Sequence, residues 1–475
     1  MYQPRTVPFE HQVSACADAR DKQGWAWLME MGTGKSKVAI DDFGDHFTRQ
    51  MIDCVVVLCP KAIMRNWVDG EIPLHCNVDY SVKMWRPGGG NSTQQRELER
   101  LLQTADHLRI LVMNTEALGS SSVTFNYLMK FVRSGRCAMY VDESTQVKNH
   151  KAKRTQAVMQ ASSRCVLRRI MSGQPVANSP MDLYSQFEVL QDAALGCRTF
   201  SAFQARYADI VLQNFGGRRV RTVAGYRNLD DLSERVGRLS TRVKKEDCLD
   251  LPDKVFVTRF VEPTRDQQRV YDELKRWAFT SLGEETVTID SALLRYLRLQ
   301  QVLCGFVTDD SGLVQDIDDG RIPALMEGIS ETTGDMVIWS RFRHCVPRIV
   351  AAVEELLGPG SCAQFHGGNV QTRDQEQERF KTDPRCRVMV ATEAGARGNT
   401  WVNAKTHHFH SNGFSYEVRV QSEDRSHRIG QTSKVTYIDY VVPDSVDVHV
   451  LAALKSKQDL AATIVDSPAE LLRLL

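Results

Sequence analysis

The feature that most constrains the fold is a glycine-rich loop between a short apolar run and a helical stretch. The run Trp25-Ala26-Trp27-Leu28-Met29 leads into Gly32-Thr33-Gly34-Lys35-Ser36, and the pattern from Lys35 to about Phe47 predicts a helix. Strand, glycine loop and helix in this order are the context of a phosphate-binding loop. The sequence therefore predicts an α/β sheet that carries a nucleotide site at a strand end.

The residues of this loop suit a nucleotide. Backbone N–H groups at the helix start face the phosphates, Lys35 neutralises β- and γ-phosphate charge, and the Ser36 hydroxyl reaches Mg²⁺. Met29 stands where the strict eight-residue pattern has its first glycine. The competing interpretation is a glycine-rich turn with an incidental lysine.

An acidic pair ends a second apolar run, at Val141-Asp142-Glu143. Asp142 can hold Mg²⁺ and Glu143 can position and polarise the attacking water. An isolated acidic pair is usually solvated surface, so the prediction depends on the phosphate-binding loop upstream.

Short apolar runs alternate with helical stretches in both halves of the chain, which predicts two parallel α/β sheets. With 475 residues, two or more domains are expected. We predict a first ATP-binding lobe over 1–180, a helical protrusion and linker over 181–250, a helical lead-in over 251–330 and a second lobe over 331–475. The runs that carry this prediction are Cys54–Cys59, Ile110–Met113, Ala138–Val141, Met336–Trp339, Arg387–Ala391, Thr406–Phe409 and Val435–Val442.

Composition limits the classes of function. The net charge of +1 excludes a broadly basic nucleic-acid coat, so any grip on nucleic acid needs local patches. Twelve cysteines without a CxxC pair predict reduced thiols, and the N-terminus has no apolar signal region. No apolar run is long enough to predict a membrane span. His407, His408 and His410 suggest a metal, but no cysteine or carboxylate cluster lies near them in sequence, so a core strand is the favoured interpretation.

A second motif lies far downstream, at Arg425-Ser426-His427-Arg428-Ile429-Gly430-Gln431. Arginine is permanently charged and forked, which suits it to a developing phosphate charge. We predict that Arg425 and Arg428 reach the γ-phosphate from a separate lobe. The competing interpretation is a surface helix with salt bridges to Glu423 and Asp424.

Taken in order, the motifs resemble those of the Swi/Snf-type ATPases of helicase superfamily two, over about 9–443. R-x-H-R-I-G-Q is the most specific of them. The motifs are FEHQ (9–12), MEMGTGKS (29–36), LCPKAIMRNW (58–67), VMNTE (112–116), VDESTQVKN (141–149), SGQPVAN (172–178), VIWSRF (337–342), FHGG (365–368), TEAGARG (392–398) and RSHRIGQ (425–431).

The resemblance implies two RecA-like lobes, ATP with Mg²⁺ at their interface, and translocation on double-stranded DNA. It places Gln12 on the adenine. It also implies a DNA track that crosses both lobes, for which the candidates are Lys61, Arg65, Asn114, Thr115, Asn369, Arg373 and Thr392.

Two positions depart from the family pattern, and the resemblance implies that they face each other. Thr145 replaces the DEAH histidine and Gln174 replaces the SGTP threonine. The resemblance implies that these positions couple nucleotide to nucleic acid. We expect a threonine hydroxyl opposite a glutamine amide to restore the hydrogen bond with exchanged roles.

We therefore expect an ATPase that moves along duplex DNA. A strand-separating DNA or RNA helicase is the first alternative, and a nucleotide-gated DNA clamp with little turnover is the second. The compact helical extras look more like a phage or bacterial member of the family. We expect a monomer in a bacterial or phage-infected cytoplasm, or in a nucleus if the source is eukaryotic, with single-stranded nucleic acid as a further ligand.

Overall fold

The computed structural model describes residues 2–86, 92–215, 218–280, 289–309, 311–396 and 398–465. The chain divides into two compact units. The first comprises Met1–Asp209, Ala224–Asp250 and the residues from Lys457 on, and the second comprises Ile210–Val223 and Leu251–Ser456. The first unit thus extends past the predicted boundary at 180.

A seven-stranded parallel sheet forms the centre of the first unit, in the order β3-β4-β2-β5-β6-β1-β9. Three of its inner strands, β1, β2 and β5, are buried along their whole length, as expected for a sheet covered on both faces. A separate hairpin, β7 with β8, lies between β6 and β9 in the chain. The strands are β1 Gly24–Met29, β2 Cys54–Cys59, β3 Tyr80–Met84, β4 Leu108–Asn114, β5 Cys137–Asp142, β6 Leu167–Met171, β7 Ala208–Phe215, β8 Arg218–Tyr226 and β9 Ser240–Val243.

A six-stranded parallel sheet forms the centre of the second unit, in the order β10-β17-β16-β13-β15-β14. A small antiparallel pair, β11 with β12, precedes β13. The two parallel sheets confirm the predicted α/β class with two RecA-like lobes. The strands are β10 Lys254–Phe260, β11 Phe306–Thr308, β12 Val314–Asp316, β13 Asp335–Trp339, β14 Cys362–Phe365, β15 Val388–Ala391, β16 Ala404–Phe409 and β17 Val435–Val441.

Helices connect the strands, and several begin at a side-chain cap. Ser121, Thr199 and Ser415 each accept a backbone N–H from the first turn of the helix that follows. The helices are α1 Glu10–Ala19, α2 Lys35–Thr48, α3 Ile72–His75, α4 Ser92–Leu101, α5 Ala117–Ser120, α6 Ser122–Val132, α7 Lys153–Ser162, α8 Leu183–Glu188, α9 Phe200–Tyr207, α10 Leu229–Gly237, α11 Lys245–Cys248, α12 Arg265–Thr280, α13 Ile289–Leu303, α14 Arg321–Ser330, α15 Cys345–Leu357, α16 Arg373–Thr382, α17 Tyr416–Glu423 and α18 Val446–Val465.

The stretch 181–250, predicted to be helical, is more varied than its sequence suggests. It holds α8 to α11, but also the β7–β8 hairpin and β9, which pairs with β1 in the first sheet. The four residues of β9 are Ser-Thr-Arg-Val, too short and too polar to form an apolar run. None of the helices in the described ranges combines the length and the apolar character that a bilayer crossing requires.

Candidate active site

The phosphate-binding loop follows β1 and ends where α2 begins. Gly32 has φ +85° and Gly34 has φ +87°, backbone that favours glycine. Gly34 is also the N-cap of α2, so the loop turns sharply into the helix N-terminus. A Cβ at Gly34 would lie 2.1 Å from Nε2 of Gln12, so a larger residue there would displace the Gln12 side chain.

Gln12 and Lys35 both contact this loop. The Gln12 amide donates to the Thr33 carbonyl at 3.1 Å, and its Oε1 accepts from the Phe9 backbone at 3.0 Å. The Lys35 ammonium donates to the carbonyls of Met29 at 2.9 Å and Glu30 at 3.2 Å. The structure therefore brings the predicted adenine-binding glutamine and phosphate-binding lysine to one loop.

The acidic pair lies at the carboxyl end of β5, two strands from β1 in the same sheet. Burial raises the pKa of Asp142, while the positive charge of Lys35 acts in the opposite direction. Glu143 has φ +51°, an uncommon conformation for a residue with a side chain and one that occurs at functional sites. Carboxylate and hydroxyl oxygens are ligands that Mg²⁺ prefers, so Asp142 and Ser36 fit the predicted metal.

Sequence reasoning missed a direct partner of Asp142. The Trp67 indole N–H donates to Asp142 Oδ2 at 2.9 Å, and both side chains are buried. The only sequence signal was the position of this tryptophan at the end of the LCPKAIMRNW motif.

Sequence reasoning also missed Arg242 and Lys245, which contact residues beside the phosphate-binding loop. Arg242 on β9 donates to the carbonyls of Leu28 at 3.0 Å and Gly173 at 3.4 Å, and pairs with Glu30 at 3.1 Å. The other Glu30 oxygen accepts the Lys245 backbone N–H at 3.0 Å. No local pattern could relate residues more than two hundred positions apart.

The predicted coupling residues lie on neighbouring segments of the first unit. Thr145 is buried in the short 3₁₀ turn Ser144–Val147 after the acidic pair. Gln174 is half-buried, and its backbone N–H donates to Ser172 Oγ at 3.1 Å. The adjacent Gly173 approaches the Met31 backbone so closely that a Cβ would meet it at 3.3 Å.

Arg425 and Arg428 differ in their surroundings within the second unit. Arg425 is only 2% exposed, and its guanidinium donates to the carbonyls of Gln421 at 2.8 Å and Asn399 at 2.7 Å. Arg428 is half-buried and donates to Thr400 Oγ1 at 2.7 Å. Both arginines therefore hold the same loop, and only one is mainly internal.

The first-unit candidates for DNA contact gather at one sheet edge. Lys61 and Arg65 follow β2, Asn114 ends β4, which pairs with β2, and Thr115 comes directly after it. Lys61 and Arg65 are exposed, Asn114 is half-buried, and Thr115 is fully buried. Two cations are thus accessible to a phosphate backbone, whereas the threonine side chain is internal.

The second-unit candidates also share an edge, after β14 and β15. Arg373 donates twice to the His366 carbonyl, at 2.9 and 2.6 Å, and Asn369 donates to the Gln364 carbonyl at 2.8 Å. Thr392 is 8% exposed. Arg397, part of the TEAGARG motif, lies outside the described residues.

His410 has two cysteine neighbours that are distant from it in sequence. His410 comes together with Cys304 and Cys345, with all ligand atoms within 4.8 Å of one another, because the fold brings the ends of α13 and α15 to β16. Burial and the nearby Arg321 and Arg348 hold the pKa of His410 well below its usual range. We assign no metal to the cluster.

His407 and His408 are core residues of β16. His407 accepts from Trp339 Nε1 at 2.9 Å and lies 2.8 Å from Ser426 Oγ, while His408 lies 3.0 Å from the Tyr440 hydroxyl. Burial lowers the pKa of each to about 3. These bonds agree with the favoured interpretation of the segment as a core strand.

Comparisons with known proteins relate the chain to a family. The model described as SNF2-related domain matches residues 22–305, and the helicase conserved C-terminal domain matches 320–430. The TATA-binding protein-associated factor mot1 of Aspergillus fumigatus is 24% identical over 86% of this chain and 23% of its own length. The ATP-dependent helicase MG018 of Mycoplasma genitalium, named as uncharacterized, is 21% identical over 91% and 39% respectively. The DNA annealing helicase and endonuclease ZRANB3 of Mus musculus is 22% identical over 94% and 39%.

One solved structure is similar over most of both chains. It is the Sulfolobus solfataricus SWI2/SNF2 ATPase core in complex with dsDNA, at 19% identity and a TM-score of 0.43, over 98% of this chain and 94% of that one. The chain spans 23% to 39% of the length of the three curated relatives. Because the SNF2-related model covers more than half of the 475 residues, the chain belongs to the SNF2-related family of helicase-like ATPases.

Proposed function

We propose that this chain is an ATP-driven translocase on double-stranded DNA. The observation that carries the proposal is the first-unit site, where Gly34, Lys35 and the Asp142–Glu143 pair meet at the carboxyl edge of one parallel sheet. Family membership supports ATP hydrolysis, and movement on duplex DNA is the further step that we infer.

The proposed hydrolysis uses groups of this chain in separate roles. Gln12 contacts the base, while the N–H groups of Gly32–Ser36 and the Lys35 ammonium bind the phosphates. Glu143 orients and deprotonates the attacking water, and Arg425 and Arg428 stabilise the charge that develops. Ser36 and Asp142 would hold Mg²⁺, which supplies further charge neutralisation on the triphosphate.

The proposed DNA track uses backbone contacts rather than base readout. Lys61 and Arg65 are exposed at the edge where β2 and β4 end, and cations of this kind bind phosphates irrespective of sequence. The names of two relatives include the word helicase, which keeps strand separation as the second candidate function.

The test is steady-state ATP hydrolysis without nucleic acid, with duplex DNA, with single-stranded DNA and with RNA. Displacement of a third strand from a triplex, and release of a strand from a partial duplex, should be measured in parallel. Lys35→Ala removes the phosphate-binding ammonium, and Lys381→Ala, on an exposed position of α16, is the control.

Duplex stimulation with triplex displacement, lost only in Lys35→Ala, supports the translocase. Strand release with stimulation by single strands would favour the helicase. Nucleotide-dependent DNA binding without turnover on any substrate would favour the clamp.

A further inference from the structure

Trp67 contacts Asp142 directly through its side chain. It lies in a π-helical turn, Asn66–Glu71, a rare conformation that occurs frequently at functional sites. Its ring is 1% exposed and packs in the core of the first unit. Its indole nitrogen donates to Asp142 Oδ2 at 2.9 Å.

The other oxygen of the same carboxyl is also occupied. Asp142 Oδ1 accepts the Glu143 backbone N–H at 3.0 Å. A carboxylate oxygen can accept more than one hydrogen bond, so each oxygen keeps capacity for a further ligand. These two donors approach from different directions, so they fix the rotation of the carboxylate about the Cβ–Cγ bond. The remaining lone pairs of the carboxylate therefore point in a defined direction.

Other buried tryptophans of the first unit show what an indole does when it only packs. Trp27 donates to the Ala15 carbonyl at 2.9 Å, and Trp85 donates to Thr124 Oγ1 at 3.0 Å. A buried indole N–H usually finds some partner, so a hydrogen bond alone carries no functional meaning. Trp67 differs from these two because its partner is the buried carboxylate that we assign to Mg²⁺.

We propose that Trp67 is a positioning residue for the Mg²⁺ site, acting through the orientation of the Asp142 carboxylate. The inference rests on the proposed ATPase function, since Asp142 has this role only if the loop binds a magnesium nucleotide. Hydrogen-bond partners of metal ligands typically contribute about 10–100-fold to metal affinity. Indole is a donor only, so it keeps Asp142 Oδ2 as an acceptor.

The experiment compares Trp67→Phe with Trp85→Phe. Each change removes one buried indole N–H and keeps an aromatic ring, but only the first removes a donor to Asp142. Binding of a fluorescent ATP analogue is titrated with EDTA present and then with increasing Mg²⁺. Mg²⁺ should raise the affinity for the analogue in both proteins. We expect the Mg²⁺ concentration that gives half of this gain to be at least about tenfold higher in Trp67→Phe than in wild type. Binding in EDTA should stay at the wild-type level, and Trp85→Phe should match wild type throughout.

An equal shift in both variants would mean that loss of packing, not the bond to Asp142, causes the effect, and the proposal would be wrong. The same holds if Trp67→Phe titrates like wild type. If Trp67→Phe does not fold, benzothienylalanine at position 67 replaces it, because this residue keeps both fused rings and has sulfur in place of the N–H.

The two proposals fail in distinguishable ways. If the wild-type protein binds no nucleotide with or without Mg²⁺, the proposed ATPase function is wrong. If wild type shows a clear gain in affinity with Mg²⁺ and the indole-free variants show the same gain, only the role of Trp67 is wrong. Mn²⁺ binding by electron paramagnetic resonance, with ADP present, gives a second readout that does not depend on turnover.

Discussion

The Arg425 guanidinium is hydrogen-bonded to the backbone carbonyl of Asn399, with 2.7 Å between Nη1 and the oxygen. The same side chain donates to Gln421, so it ties α17 to the loop that follows the TEAGARG motif. Arg425, which we predict to act on phosphate, therefore also stabilises the fold of its own unit.

We expect Arg425→Ala to lower the thermal midpoint of the second unit. Hydrogen bonds to a charged group contribute about 1.5–3 kcal/mol, and a unit of this size loses about 2–4 °C per kcal/mol. Arg428→Ala should unfold within a degree or two of wild type but hydrolyse ATP about 10³-fold more slowly. Calorimetry and an ATPase assay on both variants check this, and equal melting of the two would contradict the structural role of Arg425.

Gly34→Ala should abolish nucleotide binding. An added Cβ would lie 2.1 Å from Gln12 Nε2, and the backbone at φ +87° is unfavourable for alanine. Gly312→Ala is the matched control, because Gly312 has the same φ and nothing within 4 Å of its Cβ position. Both variants add strain to the backbone, but only Gly34→Ala changes the phosphate-binding loop. Binding of a fluorescent ATP analogue should therefore be lost in Gly34→Ala and unchanged in Gly312→Ala. Full binding by Gly34→Ala would show that the Gln12 contact is dispensable.

Much of the sheet architecture could be predicted because apolar runs coincide with buried parallel strands. The predicted run Cys54–Cys59 is β2 itself, and Val435–Val442 differs from β17 by one residue. β6 was missed because it contains Arg168 and Arg169. Arg169 is fully buried and paired with Asp42 at 3.0 Å, a compensation that only the fold reveals.

The site was predictable where function requires a special local sequence, as in the loop 32–36. The contacts of Trp67 and Arg242 were not, because each depends on a partner from another strand. For the same reason the sequence could not relate His410 to Cys304 and Cys345.

Acid should destabilise the second unit through its buried histidines. Burial holds the pKa of His407 and His408 at about 3, against 6.5 for an ordinary histidine, so the folded state stays neutral while the unfolded state binds protons. The contribution of these two histidines to the free energy of unfolding is therefore complete above pH 6.5, and it is lost as the pH falls toward 3.

His408→Gln keeps groups that can bond Tyr440 but does not titrate, so the pH slope of the unfolding free energy should fall by about 1.4 kcal/mol per pH unit. Urea unfolding between pH 6 and 4.5 measures this slope. His449→Gln, on an exposed position of α18, is the control for the same substitution outside the core. An unchanged slope in His408→Gln would mean that this histidine is not linked to acid unfolding.

Lys61→Ala combined with Arg65→Ala should weaken duplex binding and flatten its dependence on salt. Each phosphate contact contributes about 0.9 to the slope of log affinity against log salt, so the double variant should lose about two. Fluorescence anisotropy with a short duplex over a salt series measures the slope. Arg385→Ala with Lys434→Ala removes two exposed cations of the second unit and should keep the wild-type slope if those cations lie off the track.

We propose that Thr145 and Gln174 face each other and couple nucleotide to DNA. Thr145→His should then reduce the stimulation of ATP hydrolysis by DNA, because the larger ring would lack the threonine that the family pattern has at position 174. Adding Gln174→Thr restores the family pairing and should recover the stimulation. The ratio of ATPase rates with and without duplex is the measurement. A double variant no better than Thr145→His would rule out the exchanged hydrogen bond.

The pairing of β1 with β9 has a consequence for how the protein can be made. The backbone of Glu30 is bonded to Val243 at 3.0 Å, and its side chain accepts from Lys245 at 3.0 Å. A fragment cut at residue 180 would leave β1 as an open, aggregation-prone sheet edge. During synthesis, Glu30 cannot form these bonds until about residue 245 has left the ribosome. The phosphate-binding loop therefore lacks these contacts while more than two hundred further residues are translated.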